Sequence, residues 1–340
     1  MLTDVCAHLS PGQRQARTRW NTHESGAAFD CKKTAFLTPQ AQEFIARQPF
    51  CVIAGPGPQN KIEGLLVMDR PGFVQTPDIY TCVLRLDSHL STSAILQRLF
   101  QPSQAGAVTQ LGLFFIRHST RERLCVQGTA EPLLSMALYS QFSLPFKSIW
   151  VHLRVQRAFF HCPKYIRTHV PGLTASTAEN SQRAWRLDGL LNACRGSLSE
   201  EARAFIREQV LCFLCTADGN GQCAVNHRGG APGFLVTLPP DETFPGGIIL
   251  LPDYKGNGAF EAIGNILETG QAALIIPDYA AQLALSVSGS ANVLELEELP
   301  RDLAVLCSGA ERVVALWVQR VGIQSWTPAS KDGGILARFW

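Results

Sequence analysis

The residues best suited to chemistry fall between Asn226 and Asn265. They read Asn226-His227-Arg228-Gly229-Gly230-Ala231-Pro232-Gly233-Phe234, an apolar run Gly247-Ile248-Ile249-Leu250-Leu251, then Pro252-Asp253-Tyr254-Lys255-Gly256-Asn257-Gly258. The stretch Ala259-Phe260-Glu261-Ala262-Ile263-Gly264-Asn265-Ile266 follows. The order is strand, glycine-rich loop, helix. Phe260, Ile263 and Leu267 stand at i, i+3 and i+7, which gives the helix one apolar face. Gly256 and Gly258 let a backbone approach a ligand closely. Free N–H groups at a helix N-terminus favour an anion, and Lys255 adds a full charge beside them. Phosphate is the natural guest. A hairpin loop closed by glycines for turn geometry alone accounts for the same letters, so both readings stay open on the residues themselves.

The bulk numbers narrow the field. With 340 residues, 46% apolar and 17% charged, the chain is expected to form one large or two ordinary globular domains. The net charge of +2 is not gathered into a basic block, which disfavours nucleic acid as main partner. No apolar run is long enough for a membrane span. The N-terminus carries Arg14, Arg17 and Arg19 without an apolar signal core, and Pro11-Gly12 reads as a helix breaker. Secretion is not expected, and an organelle transit peptide stays open. Eleven cysteines are an odd number without framework spacing, as in a cytoplasmic protein with reduced thiols. Cys212 and Cys215 form a Cys-x-x-Cys, but on a strand residues three apart face opposite sides and cannot share a metal.

The elements that position the loop recur. Leu37 to Arg47 opens a helix with Thr38 as N-cap and Pro39 at its first position. Strands are expected over 50–54, 62–68, 80–86, 111–116, 123–129 and 149–160, with a helix over 91–100. Adding 161 to the numbering carries Leu37, Ala41, Phe44, Ile45, Gln48 and Cys51 onto Leu198, Ala202, Phe205, Ile206, Gln209 and Cys212. The same shift places Pro71-Gly72-Phe73 on Pro232-Gly233-Phe234, and Leu124, Val126, Gly128 and Ala130 on Leu285, Val287, Gly289 and Ala291. One shift holding near both ends of a domain indicates two copies. In the second copy strands are expected over 211–216, 222–227, 234–237, 247–251, 272–276, 283–294 and 313–321, with a tight turn at Asp218-Gly219-Asn220-Gly221. Many short strands with close turns favour barrels over a parallel sheet. Residues 1–36 read as a polar, irregular extension anchored by Trp20 and Phe29. The first barrel spans 37–167, the linker and a helix over 183–194 fall within 168–197, and the second barrel spans 198–340. Gly55-Pro56-Gly57-Pro58 reads as a turn, because prolines remove the N–H donors a dinucleotide loop needs. Trp317, Trp326 and Trp340 are expected in the core, or as one aromatic brought near the site.

At this point the pattern resembles the FMN-binding split-barrel family, often called pyridoxamine 5'-phosphate oxidase-like, in a tandem form. The carrying residues are His227-Arg228-Gly229-Gly230, Pro232-Gly233-Phe234, Pro252 to Asn257 and Gly264-Asn265, with Pro71-Gly72-Phe73 and His161-Cys162-Pro163-Lys164-Tyr165-Ile166 in the first copy. The resemblance implies a mainly β fold with short helices, two tandem split β-barrels forming an intramolecular pseudo-dimer, and a flavin between them. It implies that Lys255 and Asn257 hold phosphate oxygens, with Arg228 adding charge. Asn226, His227, Gly229, Pro252, Asp253 and Tyr254 would line ring and ribityl chain. Asn265 would bond the ribityl chain or pin its helix to the barrel. Lys164, His161 and His227 become the catalytic candidates, with Cys162 as either neighbour or plain buried thiol. The first copy carries Val67-Met68-Asp69 near Arg70 opposite the His227 motif and lacks the 253–257 loop, so one FMN per chain is expected. The resulting expectation is a cytoplasmic FMN-dependent oxidoreductase of an unidentified small molecule, monomeric or homodimeric, reduced by NAD(P)H or a separate reductase. A flavin- or haem-binding protein without turnover is the alternative.

Overall fold

The computed structural model describes residues 9–87, 90, 93–100, 109–132, 148–168, 170 and 196–325. Two helices come first, α1 (Pro11–Arg19) and α2 (His23–Asp30), followed by α3 (Pro39–Ala46). The first barrel has β1 (Phe50–Pro56), β2 (Ile62–Met68), β3 (Val74–Asp78), β4 (Thr81–Asp87), α4 (Ala94–Phe100), β5 (Thr109–Arg117), β6 (Glu122–Pro132) and β7 (Ser148–Phe160). The second has α5 (Glu200–Glu208), β8 (Leu211–Ala217), β9 (Cys223–Gly229), β10 (Val236–Leu238), β11 (Ile248–Asp253), α6 (Glu261–Thr269), β12 (Gln271–Asp278), β13 (Leu283–Leu294), α7 (Arg301–Leu306) and β14 (Arg312–Ser325).

The two seven-stranded antiparallel sheets have one topology. The first runs β2-β1-β5-β6-β7-β4-β3, and the second, read from its matching edge, β9-β8-β12-β13-β14-β11-β10. Local chemistry is duplicated as well. Thr38 caps α3 by accepting from the Ala41 N–H at 3.2 Å, and Ser199 caps α5 through Ala202 N–H at 3.1 Å. Gln48 and Gln209 each donate from Nε2 to the carbonyl four residues back, at 2.8 and 3.1 Å. Gly72 and Gly233 both sit at positive φ, 89° and 85°, where a Cβ would be strained although space is open. The β6–β7 ladder shifts register at Gly128 and the β13–β14 ladder at Gly289. At both bulges an added Cβ would strike a carbonyl of the neighbouring strand, Arg154 or Trp317. The fold is therefore two tandem split barrels.

Strand β1 shows how the copies face each other. Cys51 and Ile53 point into the first barrel's core, while Phe50, Val52 and Ala54 point outward. In β8, Cys212 and Leu214 point into the second barrel, and Phe213 and Cys215 point outward. The outward faces meet in one shared core with Phe114, Phe159, Val225, Ile275 and Tyr279. Both faces of these strands are buried, which explains their nearly continuous apolar runs. The two cysteines of the Cys-x-x-Cys thus lie in different cores.

Three expectations need correction. The N-terminal extension is helical: Pro11 occupies the start of α1, capped by Ser10, and does not break it. Trp20 and Phe29 do anchor it, against the second barrel and the shared core. The first copy has a seventh strand, β3, an exposed edge containing Pro77. The helix expected over 91–100 is observed over Ala94–Phe100. Trp317 packs under Phe244 in a small core of its own. The helix expected over 183–194 and Trp326 and Trp340 lie outside the described residues.

Candidate functional site

The barrels leave a two-lobed cleft on the side where the first copy ends. Its outer lobe is lined by residues including Arg123, His161, Cys162, Lys164, Asn226, His227, Arg228, Gly229, Pro252 and Tyr254. The inner lobe adds Phe29, Asp253, Gly258, Ala259 and Glu261. His161, Asn226, Arg228, Tyr254, Gly256 and Asn257 line both.

Most of the residues singled out in the sequence converge here. Asn226, His227, Arg228 and Gly229 end β9; Pro252 and Asp253 end β11; and Tyr254 to Asn257 form the following loop. His161 and Lys164 reach across from the first copy. Lys255 is exposed, and its carbonyl accepts from the Tyr165 hydroxyl at 2.9 Å. Asn257 Oδ1 accepts the Ala259 N–H at 3.1 Å, which shapes the loop. Asn265 is not in the cleft. It is buried, and its Nδ2 donates to Thr216 Oγ1 at 3.1 Å, tying α6 to β8.

Glycine roles also differ from the expectation. Gly256 faces open space apart from its own loop, as a ligand-facing glycine must. At Gly258, φ is 72° and an added Cβ would strike Ser25 of α2. Gly264 is needed where α1 crosses α6 at Gly12. Gly229 lies against the Tyr165 carbonyl, so it admits the tail of the first copy.

Several residues that carry the site have no spacing signal. Arg123, at the start of β6, donates from Nε to the Cys162 carbonyl at 2.9 Å, from Nη2 to the same oxygen, and to the Lys164 carbonyl at 3.3 Å. It holds the 161–165 segment in place; burial brings its pKa down to about 10, so it stays charged. Arg312, 3% exposed on β14, donates to Asp253 Oδ2 at 2.7 Å, while Arg228 grips Oδ1. Asp253 is thus a buried carboxylate between two guanidiniums. Arg312 also stacks on Trp20 and Phe260, at 4.4 and 4.6 Å. An arginine opening the apolar run Val313-Val314-Ala315-Leu316 was the one visible hint.

The N-terminal helices complete the walls. Gln13 and Arg17 donate to the Ala259 carbonyl, Thr22 donates to the Gly258 carbonyl at 3.1 Å, and Arg17 pairs with Asp30 at 2.7 Å. Lys33 then bridges Asp30 at 3.1 Å and Glu261 at 3.5 Å. Thr34 exchanges backbone hydrogen bonds with Ala158 of β7. Residues 10–34 therefore form a strap from α6 of one barrel to β7 of the other.

Both cleft histidines are neutral. Burial pushes His161 and His227 well below the usual histidine range, and nearby cations act in the same direction, Arg123 first in each case. His161 Nε2 lies 2.9 Å from the Cys125 thiol, which burial holds well above the ordinary thiol range. This is a neutral thiol–imidazole contact without nucleophilic activation. Among the described residues, buried Asn226 Oδ1, Arg228 Nε and Glu261 Oε2 lack a hydrogen-bond partner. Such orphans are rare in folded proteins and call for a polar guest.

Residues 198–316 match the family model described as pyridoxamine 5'-phosphate oxidase. The second barrel is therefore similar to the pyridoxamine 5'-phosphate oxidase-like split-barrel family, and the first barrel repeats its topology. No curated protein matches the chain. Among solved structures, a putative pyridoxamine 5'-phosphate oxidase from Lactobacillus delbrueckii is 21% identical, covering 38% of this chain and 95% of its own, with TM-score 0.30. The haem storage protein HutZ of Vibrio cholerae is 14% identical over 38% of this chain and 94% of its own, at TM-score 0.24. An FAD-binding protein from Mycobacterium smegmatis is 11% identical over 37% and 96%, at TM-score 0.23.

The split barrels differ at the site. Register places Val67 of the first copy where the second has Arg228, since each stands opposite an equivalent cysteine, Cys51 or Cys212. Leu86 pairs with Ile149 where Asp253 pairs with Arg312. The first copy has therefore lost both arginines.

Proposed function

We propose that this chain binds one FMN in the cleft and is an FMN-dependent oxidoreductase of a small molecule. The observation that carries the reading is one cleft combining the cations Arg123, Lys164 and Arg228 with unpartnered buried polar atoms. The donor set fits a polar anion with an aromatic body. Arg228 with Lys255 and the Asn257 amide would hold the phosphate, and Tyr254 and Asn226 would flank the ring. When bound, the flavin supplies hydride or electron transfer.

The chain's own residues then have distinct tasks. Arg123 fixes the backbone that carries Lys164, whose ammonium offsets negative charge developing in the outer lobe. The neutral His161 and His227 imidazoles orient groups by hydrogen bonding and bring no positive charge of their own. Phe29 and the strap exclude water from the inner wall. The loss of both arginines from the first copy supports one flavin per polypeptide. Electrons would come from NAD(P)H or a separate reductase.

The test is the Arg228→Ala, Lys255→Ala double variant. FMN affinity is expected to fall at least tenfold, read by flavin fluorescence quenching; unchanged retention refutes the phosphate assignment. A second reading, a haem or flavin carrier without turnover, is favoured by the two neutral imidazoles, which are competent metal ligands. A haem spectrum in place of a flavin spectrum, or a flavin that no reductant bleaches anaerobically, would support it.

A further inference from the structure

Glu261 opens α6 at the floor of the inner lobe, 8% exposed. Its two oxygens are in different situations. Oε1 accepts from Gln127 Nε2 of the first barrel at 3.0 Å and lies 3.5 Å from Lys33 Nζ of the strap. Oε2 is buried and has no partner among the described residues. A buried carboxylate oxygen left unpaired is costly, more so than a neutral acceptor. Asn226 Oδ1, on the same lobe, is a second buried acceptor without a donor among the described residues. The inner lobe thus offers these two acceptors beside Arg228, which lines both lobes, whereas the cations Arg123 and Lys164 line the outer lobe alone. The strap and the first barrel together hold Glu261 with one oxygen spent and the other spare.

We propose that Glu261 is a specificity-determining residue that accepts a hydrogen bond from a hydroxyl or N–H donor of the bound ligand. This rests on the flavin reading of the cleft, and the donor is a ribityl hydroxyl or a ring N–H. The ligand class is an anion at one end and a donor-bearing polar group at the other. A guest with acceptors only is excluded from the inner lobe, because it would face two unpaired oxygens.

The experiment compares FMN, riboflavin and lumiflavin, which keeps the ring but has methyl in place of the ribityl chain. Binding of each to the full chain is measured by fluorescence quenching for wild type, Glu261→Ala and Glu261→Gln. Loss of one hydrogen bond to a charged group weakens binding about ten- to a hundredfold. If the donor is a hydroxyl, Glu261→Ala weakens FMN and riboflavin by that factor and leaves lumiflavin unchanged. If it is a ring N–H, all three weaken, and Glu261→Gln, which keeps an acceptor oxygen, restores part of the loss. Should Glu261→Ala fail to fold, the same FMN-to-lumiflavin comparison on Glu261→Gln decides, with a smaller loss expected. For each of the three flavins, an affinity unchanged between wild type and the folded variants overturns the proposal and leaves the flavin reading intact. Failure of the wild type itself to bind any flavin removes the parent reading, and the proposal with it.

Discussion

Asp253→Asn separates the structural role of the buried triad from its role toward a ligand. The Asp253 side chain is 6% exposed and bonds Arg312, 4% exposed, at 2.7 Å. Arg228 is its more accessible partner, at 21%. Arg312 keeps only Glu311, at 2.8 Å and 40% exposed. Removing one member of a buried pair costs about 3–5 kcal/mol, because a charge stays buried without its counterion. Asparagine retains one oxygen that accepts from one guanidinium, so the lower end, about 3 kcal/mol, is expected. At roughly 2–4 °C per kcal/mol, the ligand-free melting temperature falls about 6–12 °C. FMN affinity moves the other way: the variant frees Arg228 and removes a negative charge from the cleft wall. Asp69→Asn is the control, since Asp69 meets half-exposed Arg85 at 3.3 Å and such pairs contribute under about 1 kcal/mol. Urea denaturation without ligand and FMN titration give the two numbers. A ligand-free stability within about 0.5 kcal/mol of wild type, or an FMN affinity that falls together with stability, would refute the reasoning.

Other perturbations follow from the same contacts. Gly128→Ala and Gly289→Ala each force a Cβ into a backbone carbonyl at the same bulge and should destabilise their barrels by about 3 kcal/mol or more, measured by urea denaturation. A mild effect in one copy only would contradict the shared bulge. Asn265→Ala should cost about 1–3 kcal/mol through Thr216 and leave FMN affinity unchanged; a loss of affinity would return Asn265 to the site. Arg17→Met breaks the strap's hold on Ala259 and leaves Asp30 with Lys33 as its ion-pair partner, so flavin should dissociate faster in stopped flow while ligand-free stability drops about 3 kcal/mol. Stability should also fall with acidification. His118 is held down to about 4 by burial, and His161 and His227 are pushed down too, so the unfolded chain binds more protons below its histidine pKa near 6.5. The neutral-histidine contribution is complete above about pH 6.5 and is lost as pH falls toward 4. Three such groups give a slope of up to about 4 kcal/mol per pH unit in that window; pH-independent urea midpoints between 7 and 5 would contradict it.

The duplication was readable because barrels repeat their constraints. The caps at Thr38 and Ser199, the turn glycines and the bulge glycines recur at one spacing, and each is demanded by backbone geometry. The polar loop 252–257 was readable because its letters are contiguous. The strap was not: α1 and α2 are short and polar, and their stability comes from Arg17, Asp30 and Lys33 meeting residues far along the chain. Arg123 was silent, and Arg312 showed only as a charge opening an apolar run, because single arginines on strands carry no period. Gly258 misled because a glycine shows that something approaches closely but not whether it is a ligand or another helix.

The most direct test of the account is the stoichiometry of flavin on the full chain. The protein is saturated with FMN, freed of excess, and the flavin released by denaturation is quantified against protein. One FMN per chain is predicted, held by the cleft of the second barrel. None, or two per chain, would contradict the division of labour between the copies.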